Sequence, residues 1–295
     1  LGVKRNLLSE KYEDLLVGRG CSIARTEERA ITVVQLKALI SHMMKRCRKE
    51  HWLGRDSHLI EPSAINLYDA DKYVIRPATE ARQCSYVELV ADGPQPPTWF
   101  VSHWWGEPVC DFVNCLLQHS TDRELKADAP YWVCAYANNQ WQVDAELGDD
   151  PSNSSFRRAM RLAKGTVSIL DREGVCFSRI WCCYEIWVSL MDETWSKTHL
   201  YDIYTSTASG SVGLTDGFVA ADKKRNKVWW KDDKYKREQA FPISLAHAGL
   251  SVELQAARAS SEKDRRAILN IIAESDDQDA EPPGTSRGYA ELNQM

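Results

Sequence analysis

Residues 165–171 read GTVSILD and residues 178–191 read SRIWCCYEIWVSLM, and together they decide the fold. The first segment is rich in β-branched residues and bounded by glycine and charge, which predicts a strand. The second is apolar over most of its length and long enough for a helix, so we expect a strand, a short loop and a helix. This helix carries one carboxylate, Glu185, four residues after Trp181, a spacing that puts both side chains on the same face.

The same alternation extends on both sides of these segments. Strands are predicted at residues 98–103, 131–137, 166–170 and 199–204, and helices at residues 109–119, 154–163 and 179–191. Strands that alternate with helices of this length favour right-handed crossovers and a parallel sheet covered on both faces. We therefore predict an α/β domain with a doubly wound, mostly parallel sheet over residues 98–274, after a proline-rich boundary at residues 92–97.

Residues 1–97 are predicted to form an N-terminal helical extension. Residues 31–48 place apolar side chains at helical spacing before a basic end, which predicts an amphipathic helix that packs on the rest of the protein. Asn66 is expected to cap a short helix that Pro77 ends. Residues 86–90, YVELV, read as an edge strand.

The C-terminal third is predicted to be less regular. Residues 205–240 are small and polar, then highly charged around Trp229 and Trp230, and we interpret them as a long excursion or flap. A fifth strand is expected at residues 250–254. The final helix should begin at Ser261, which with Asp264 resembles a capping box, and the acidic tail at residues 275–295 predicts disorder.

Size and charge exclude several classes of protein. Of the 295 residues, 43% are hydrophobic, which is enough for a real core. No apolar run reaches the length of about eighteen residues that a membrane span needs, and residues 1–14 do not resemble a signal peptide, although a trimmed segment could have preceded Leu1. The net charge of −5 favours no nucleic-acid partner, and the basic clusters at residues 45–49 and 223–227 read as solvated faces.

The cysteines indicate a reducing compartment. Their number, nine, is odd, and Cys134, Cys182 and Cys183 lie in the predicted core elements. Buried free thiols are typical of the cytosol, where disulfide frameworks are rare, so we expect a cytoplasmic protein. No spacing of Cys and His residues matches a zinc site, and no bound metal is expected.

Ligands of open parallel sheets bind beyond the carboxyl ends of the strands, and this rule selects candidate site residues. They are Ser102, His103, Trp104 and Trp105 after the first strand, Asn138 and Asn139 after the second, Asp171 after the third, and Trp181 and Glu185 on the following helix. Hydroxyl, imidazole, amide, indole and carboxylate groups in one cleft suit an aromatic ligand that carries a sugar.

Structural roles remain open for each candidate. Trp181 can belong to the core, and Trp104 and Trp105 can cover the edge of the sheet. Glu185 can be held by a salt bridge to Arg179 or Arg172. For the others the structural roles are a hydrogen-bonded histidine at a strand end for His103, turn residues for Asn138 and Asn139, and packing thiols for Cys182 and Cys183.

The same residues carry a family resemblance. Ser178, Trp181, Cys182 and Glu185 reproduce the S-x-x-W-C-x-x-E signature of Toll/interleukin-1 receptor (TIR) domains, and FVSH at residues 100–103 resembles the first strand of that family. The longer sequences FVSHWWGEP and ANNQ are similar to a divergent TIR-like group of unicellular eukaryotes. The resemblance covers roughly residues 98–204 and implies a flavodoxin-like sheet.

Enzymatic TIR domains cleave the bond between nicotinamide and ribose in NAD, so the resemblance implies an NAD glycohydrolase or cyclase with NAD as substrate rather than cofactor. Glu185 would then stabilise the oxocarbenium-like ribose that forms as nicotinamide leaves. Trp181, with Trp104 or Trp105, would hold aromatic rings. Ser102 and His103 would bind ribose or phosphate.

Other functions stay open at this stage. Residues 137–155 do not resemble the TIR loop that mediates assembly and gates the pocket, which leaves self-assembly by that route in question. One alternative is a non-enzymatic TIR-like interaction module, or a subunit of a larger assembly, that binds protein partners for signalling. Another is an enzyme that acts on a different nucleotide or nucleoside. Residues 1–97 are expected to cover the cleft or to dock a partner.

Overall fold

The six strands of the described chain form one mixed sheet. The computed structural model describes residues 10–15, 18–192, 198–224 and 230–294. The strands are β1 (Ile31–Thr32), β2 (Trp99–His103), β3 (Pro130–Trp132), β4 (Gly165–Leu170), β5 (Leu200–Thr207) and β6 (Gly210–Leu214). Their order across the sheet is β1-β3-β2-β4-β5-β6.

The four central strands are parallel, and the two edge strands are antiparallel to their neighbours. In the centre of the sheet, Phe100 pairs with Thr166 and His103 with Ile169. The chain passes from β2 to β3 on one side and then crosses to β4 on the other. The strand order therefore reverses beside β2, and a crevice is expected at the carboxyl ends of β2 and β4.

Helices of varied length fill the intervals between the strands. They are α1 (Val33–Glu50), α2 (Leu67–Ala70), α3 (Arg76–Thr79), α4 (Tyr86–Val90), α5 (Val109–Asp122), α6 (Cys134–Ala137), α7 (Val143–Leu147), α8 (Ser155–Leu162), α9 (Ile180–Met191), α10 (Ala220–Lys224), α11 (Trp230–Glu238), α12 (Ile243–Leu250), α13 (Glu262–Ile272) and α14 (Arg287–Asn293). In the part of the chain described, none of them is both long and apolar enough to cross a membrane.

Hydrophobic clusters cover both faces of the sheet. Val101 and Ile169 point into a cluster with residues of α1 and α5. Phe100 and Trp132, which alternate with them along the strands, pack on the other face with residues of α8, α9 and α13. The predicted mixed α/β architecture with a mostly parallel sheet is confirmed. The first cluster also contains Val87, so it includes residues on both sides of the boundary predicted at residues 92–97.

Several helix starts match the caps predicted from sequence. Asn66 caps α2 by accepting a hydrogen bond from the backbone N–H of Asp69. Ser261 caps α13 in the same way through Asp264. The helix predicted at residues 31–48 is α1, whose capping box joins Thr32 and Gln35.

Two predictions in the N-terminal part are wrong. Residues 86–90 form the helix α4 rather than a strand, because Ser85 and Glu88 make a capping box that fixes the first turn. Pro77 does not end the helix that Asn66 begins, which continues to Thr79. A π-helical turn at Asp71–Ile75 ends two residues before this proline and changes the hydrogen-bond register, so a residue without an N–H is tolerated there.

Three further predictions need correction. The strand at residues 131–137 stops at Trp132 and is followed by the short helix α6. Residues 250–254 form no strand, since the helix α12 runs to Leu250 and a 3₁₀ turn begins at Leu254. The tail is not disordered throughout, since Tyr289 and Leu292 of α14 are buried against the second cluster.

The predicted excursion contains regular structure. The strand β6 pairs with β5, and α10 and the backbone of α11 follow it. Ion pairs from Arg237 to Asp222 and from Lys234 to Glu238 stabilise this region. Trp229, around which the excursion was centred, lies outside the described residues.

Candidate functional site

A pocket of about 280 Å³ opens at the carboxyl ends of β2 and β3, beside the start of α9. It is lined by Tyr68, Val101, His103, Trp104, Trp105, Cys134, Phe156, Arg179, Trp181, Cys182, Glu185, Arg258 and Ser260. Five of the candidates named from sequence are therefore together here. They are His103, Trp104, Trp105, Trp181 and Glu185.

Glu185 lies in the pocket wall with little exposure to solvent. Only 3% of its surface is accessible, and Oε2 is buried without a hydrogen-bond partner. Among the described residues Glu185 forms no ion pair, so the salt bridge to Arg179 or Arg172 considered from sequence is not formed. An unpaired buried carboxyl destabilises a fold, which makes a purely structural role for this side chain costly.

Burial raises the pKa of the Glu185 carboxyl well above its ordinary value of 4.5. The cause is lost hydration of the ionised form, and the neighbouring Cys182 sulfur acts in the same direction. The hydroxyl of Ser102 lowers this pKa by a smaller amount, although Ser102 Oγ is fully buried and has no partner at hydrogen-bond geometry. Glu185 thus holds its proton more tightly than an exposed glutamate.

Trp181 both packs in the core and lines the pocket. One face stacks on Phe156, with ring centroids 5.0 Å apart and an angle of 23° between planes. Its Nε1 donates a hydrogen bond to Asp264 Oδ2 over 3.1 Å, and the ring is half-buried. The core role considered from sequence and a position at the site are therefore both present in the same side chain.

Trp104 and Trp105 are half-buried and form another wall of the pocket. The Nε1 of Trp105 donates to Cys134 Sγ over 3.3 Å, which orients the ring. Tyr68 lies against Trp105, with ring centroids 5.5 Å apart. Tyr68 is in the N-terminal part of the chain, so residues 1–97 supply part of the pocket wall. Of the two roles expected for them, covering the cleft and docking a partner, this position suits the first.

His103 is buried with both ring nitrogens unpartnered, so it is not the hydrogen-bonded strand-end histidine considered from sequence. Its surface is 6% exposed and its ring packs against Phe112. Burial lowers the pKa of His103 to about 4, because the charged imidazolium loses its hydration. At neutral pH the ring is an uncharged donor and acceptor at the pocket wall.

Four candidates named from sequence do not line this pocket, and one of them is Ser102, whose side chain is fully buried in β2. Asn138 accepts a hydrogen bond from Ser155 through Oδ1, and Asn139 donates to the backbone of Gln83, so both side chains hold loops together. Neither lines the pocket. Asp171 lines a different pocket, on the β4 side of Trp104.

Two arginines at the pocket were not predicted as ligand-binding residues. Arg179 precedes α9, and Arg258 is joined to it by a backbone bridge in which the N–H of Ile180 donates to the Arg258 carbonyl. Arg179 also donates to Ser260 Oγ over 3.4 Å. Neither arginine forms an ion pair within the described part of the chain, so both guanidinium groups are available to an anion. Because the two arginines are far apart in the sequence, no local pattern predicts that they meet at one pocket.

All nine cysteines are free thiols, as predicted. The hydrogen bond from Cys176 lowers the pKa of the Cys182 thiol, which lies at the pocket. Within residues 10–15, 18–192, 198–224 and 230–294, no cluster of three or more His, Cys, Asp or Glu side chains is placed to hold a metal.

No protein-family model, curated protein or solved structure matches the chain.

Proposed function

We propose that the chain cleaves the bond between nicotinamide and ribose in NAD, on a flavodoxin-like TIR fold. The observation that supports this most strongly is Glu185, an unpaired carboxyl in the wall of a pocket that also carries aromatic rings and arginines. The likeness of residues 178–185 to the TIR signature gives the same residue this role.

The pocket chemistry matches the nicotinamide half of NAD. The pyridinium ring of NAD is a flat cation, and tryptophan faces attract flat cations. Trp181 and Trp104 are half-buried at the pocket, so each can present part of its ring. Ligand pockets commonly measure about 300–1,000 Å³. A pocket of about 280 Å³ therefore takes the nicotinamide and its ribose but not the whole dinucleotide.

The arginines suit the remainder of the substrate. Arg258 is exposed and Arg179 half-buried, and both line the same pocket. Guanidinium groups bind phosphate oxygens in pairs of parallel hydrogen bonds. With nicotinamide beside Glu185, the diphosphate would lie against these two side chains, and the adenosine half would extend outside the pocket.

Entry of a cation changes the state of Glu185. A positive ring next to the carboxyl lowers its pKa, so the proton leaves for solvent and a carboxylate faces the ribose. The C1′–N bond then breaks, its electron pair moves to the nicotinamide nitrogen, and the carboxylate stabilises the positive charge left on the ribose. Water adds at C1′ and loses a proton, and Glu185 takes a proton back from solvent once the nicotinamide has left. The overall products are ADP-ribose, nicotinamide and one proton.

Nicotinamide release from NAD tests this function. We expect the Glu185→Gln variant to be slower by a factor on the order of 100 or more, as for other removed electrostatic groups. The control is Glu253→Gln, an exposed glutamate away from the pocket, which should keep the wild-type rate. Equal rates for wild type and Glu185→Gln would refute the role of Glu185.

One observation favours the alternative, a non-enzymatic interaction module. Glu185 is only 3% exposed, which would also suit a carboxyl that never meets a substrate. Release of nicotinamide by wild type distinguishes the enzyme from the interaction module. No release of nicotinamide by wild type, at high protein concentration and with a crowding agent to promote assembly, would leave the interaction module as the better account.

A further inference from the structure

A second pocket, of about 480 Å³, lies on the other side of Trp104 from the first. It opens between the carboxyl ends of β2 and β4, where the strand order reverses and where open α/β sheets bind ligands. Trp104 is the residue that lines both pockets. The second pocket takes no part in the function proposed above.

Two buried carboxyls without full hydrogen bonding line this pocket. Glu107 is 2% exposed, and its Oε1 has no partner. Asp171 is 8% exposed; its Oδ1 accepts a hydrogen bond from the backbone N–H of Val175 over 2.8 Å, but its Oδ2 has no partner. Neither residue forms an ion pair within the described chain.

The two acids also act on each other. Burial raises the pKa of Glu107 well above its ordinary value, and the negative charge of nearby Asp171 raises it further. A third acid, Asp111, contributes in the same direction and lines the same pocket. The one Arg or Lys among the lining residues, Arg172, is exposed to solvent. The pocket therefore has two buried acids with unpartnered oxygens and no buried cation among its lining residues.

We propose that this pocket binds a small organic cation with an ammonium or guanidinium group. Such a group donates several hydrogen bonds at once, so it can satisfy Glu107 Oε1 and Asp171 Oδ2 and relieve their repulsion. Trp104 adds an aromatic face beside the charge. A metal ion is the less suitable occupant, because no metal-holding cluster of His, Cys, Asp or Glu exists among the described residues.

Calorimetric titration of the full chain with agmatine, which carries both groups, tests the proposal. Butane-1,4-diol is the uncharged control ligand, and magnesium chloride is a separate titrant. We expect agmatine to bind and the diol not to bind. Agmatine should bind at least about tenfold more weakly to Glu107→Gln and to Asp171→Asn, because each change removes one charge–hydrogen-bond contact and keeps the side-chain shape.

Two control variants locate the site. Glu253→Gln removes an exposed acid that lines neither pocket and should keep the wild-type affinity. Glu185→Gln should also bind agmatine as wild type does, so failure of the NAD proposal and failure of this one are distinguishable. No agmatine binding, equal binding of the diol, unchanged affinity in Glu107→Gln, or displacement of agmatine by Mg²⁺ would each overturn the proposal. A thermal melt of every variant checks that it is folded.

Discussion

The indole Nε1 of Trp181 donates a hydrogen bond to Asp264 Oδ2 over 3.1 Å, which joins the first turn of α9 to the first turn of α13. The ring cannot rotate freely in the pocket while this bond and the stack on Phe156 hold it. The orientation of the aromatic wall is therefore set by a helix about 80 residues further along the chain.

Asp264→Ala should lower the free energy of unfolding by about 1 kcal/mol, the usual value of one such hydrogen bond. It should also slow nicotinamide release, because Trp181 loses its fixed orientation. Urea denaturation and the NAD assay measure the two effects. The control is Glu262→Ala in the same helical turn, whose side chain is 68% exposed and pairs with Arg265. Equal rates in both variants would show that Asp264 does not position the ring.

Glu185→Gln should become more stable relative to wild type as the pH rises. The folded state holds the Glu185 proton more tightly than the unfolded chain. The contribution of Glu185 to the stability of wild type is therefore fully present below the ordinary pKa of 4.5 and is lost as the pH rises toward the elevated value. The loss is about 1.4 kcal/mol per pH unit inside this window. The glutamine side chain does not ionise, so Glu185→Gln does not lose this stability.

Urea denaturation between about pH 5 and pH 8 measures this difference, within the range where most domains are stable. Glu253→Gln should follow the wild-type curve, because Glu253 is exposed. Glu107, whose pKa is also raised, remains in both proteins and cancels from the comparison. A stability difference between Glu185→Gln and wild type that does not change with pH would contradict the burial argument.

Gly106→Ala should disturb both pockets through one side chain. A Cβ at this position would lie 2.2 Å from Cζ2 of Trp104, so the indole has to move. We expect weaker agmatine binding, slower NAD cleavage and a loss of about 1–3 kcal/mol in stability from overpacking. Gly93→Ala is the control, because its Cβ would meet no atom within 4 Å. Normal behaviour in both assays would show that Trp104 does not shape the two pockets.

Gly288→Ala should detach the C-terminal helix. Its Cβ would lie 2.0 Å from the backbone carbonyl oxygen of Ile272, and backbone cannot move aside as a side chain can. Amide hydrogen exchange should then show lost protection in α14, whose Tyr289 is buried in wild type. Gly284→Ala, which meets no atom within 4 Å, should leave protection unchanged. Wild-type protection in Gly288→Ala would show that α14 does not pack this closely on Ile272, and no protection of α14 in wild type would support the disorder predicted from its composition.

The sequence predicted the parallel part of the fold because its strands and helices have unambiguous periods. The prediction from sequence was wrong where a short apolar run is compatible with both a strand and a helix. Residues 86–90 are mostly apolar, with two valines and a tyrosine that favour a strand, but Ser85 and Glu88 have the spacing of a capping box, and this available signal favours a helix. Residues 134–137 are apolar or aromatic and carry no such signal, so the end of β3 could not be predicted.

The candidate site was predicted in part for the same reason. His103, Trp104 and Glu185 follow from strand ends and one helix face, which are local features. Arg258 lies at the pocket because its backbone pairs with Arg179, which is distant in sequence, and no local pattern predicts this pairing. Glu107 could have been selected, since it follows the first central strand by a few residues and the crevice rule applies to it.

The central claim is that Glu185 is a protonated, unpaired carboxyl that ionises when a cation enters its pocket. Infrared difference spectroscopy on addition of 1-methylnicotinamide, a pyridinium cation without a ribose bond to break, measures this directly. The account predicts loss of the protonated-carboxyl C=O band in wild type, no loss in Glu185→Gln, and no loss with uncharged nicotinamide. An unchanged band in wild type with the cation bound, or the same loss in Glu185→Gln, would contradict it.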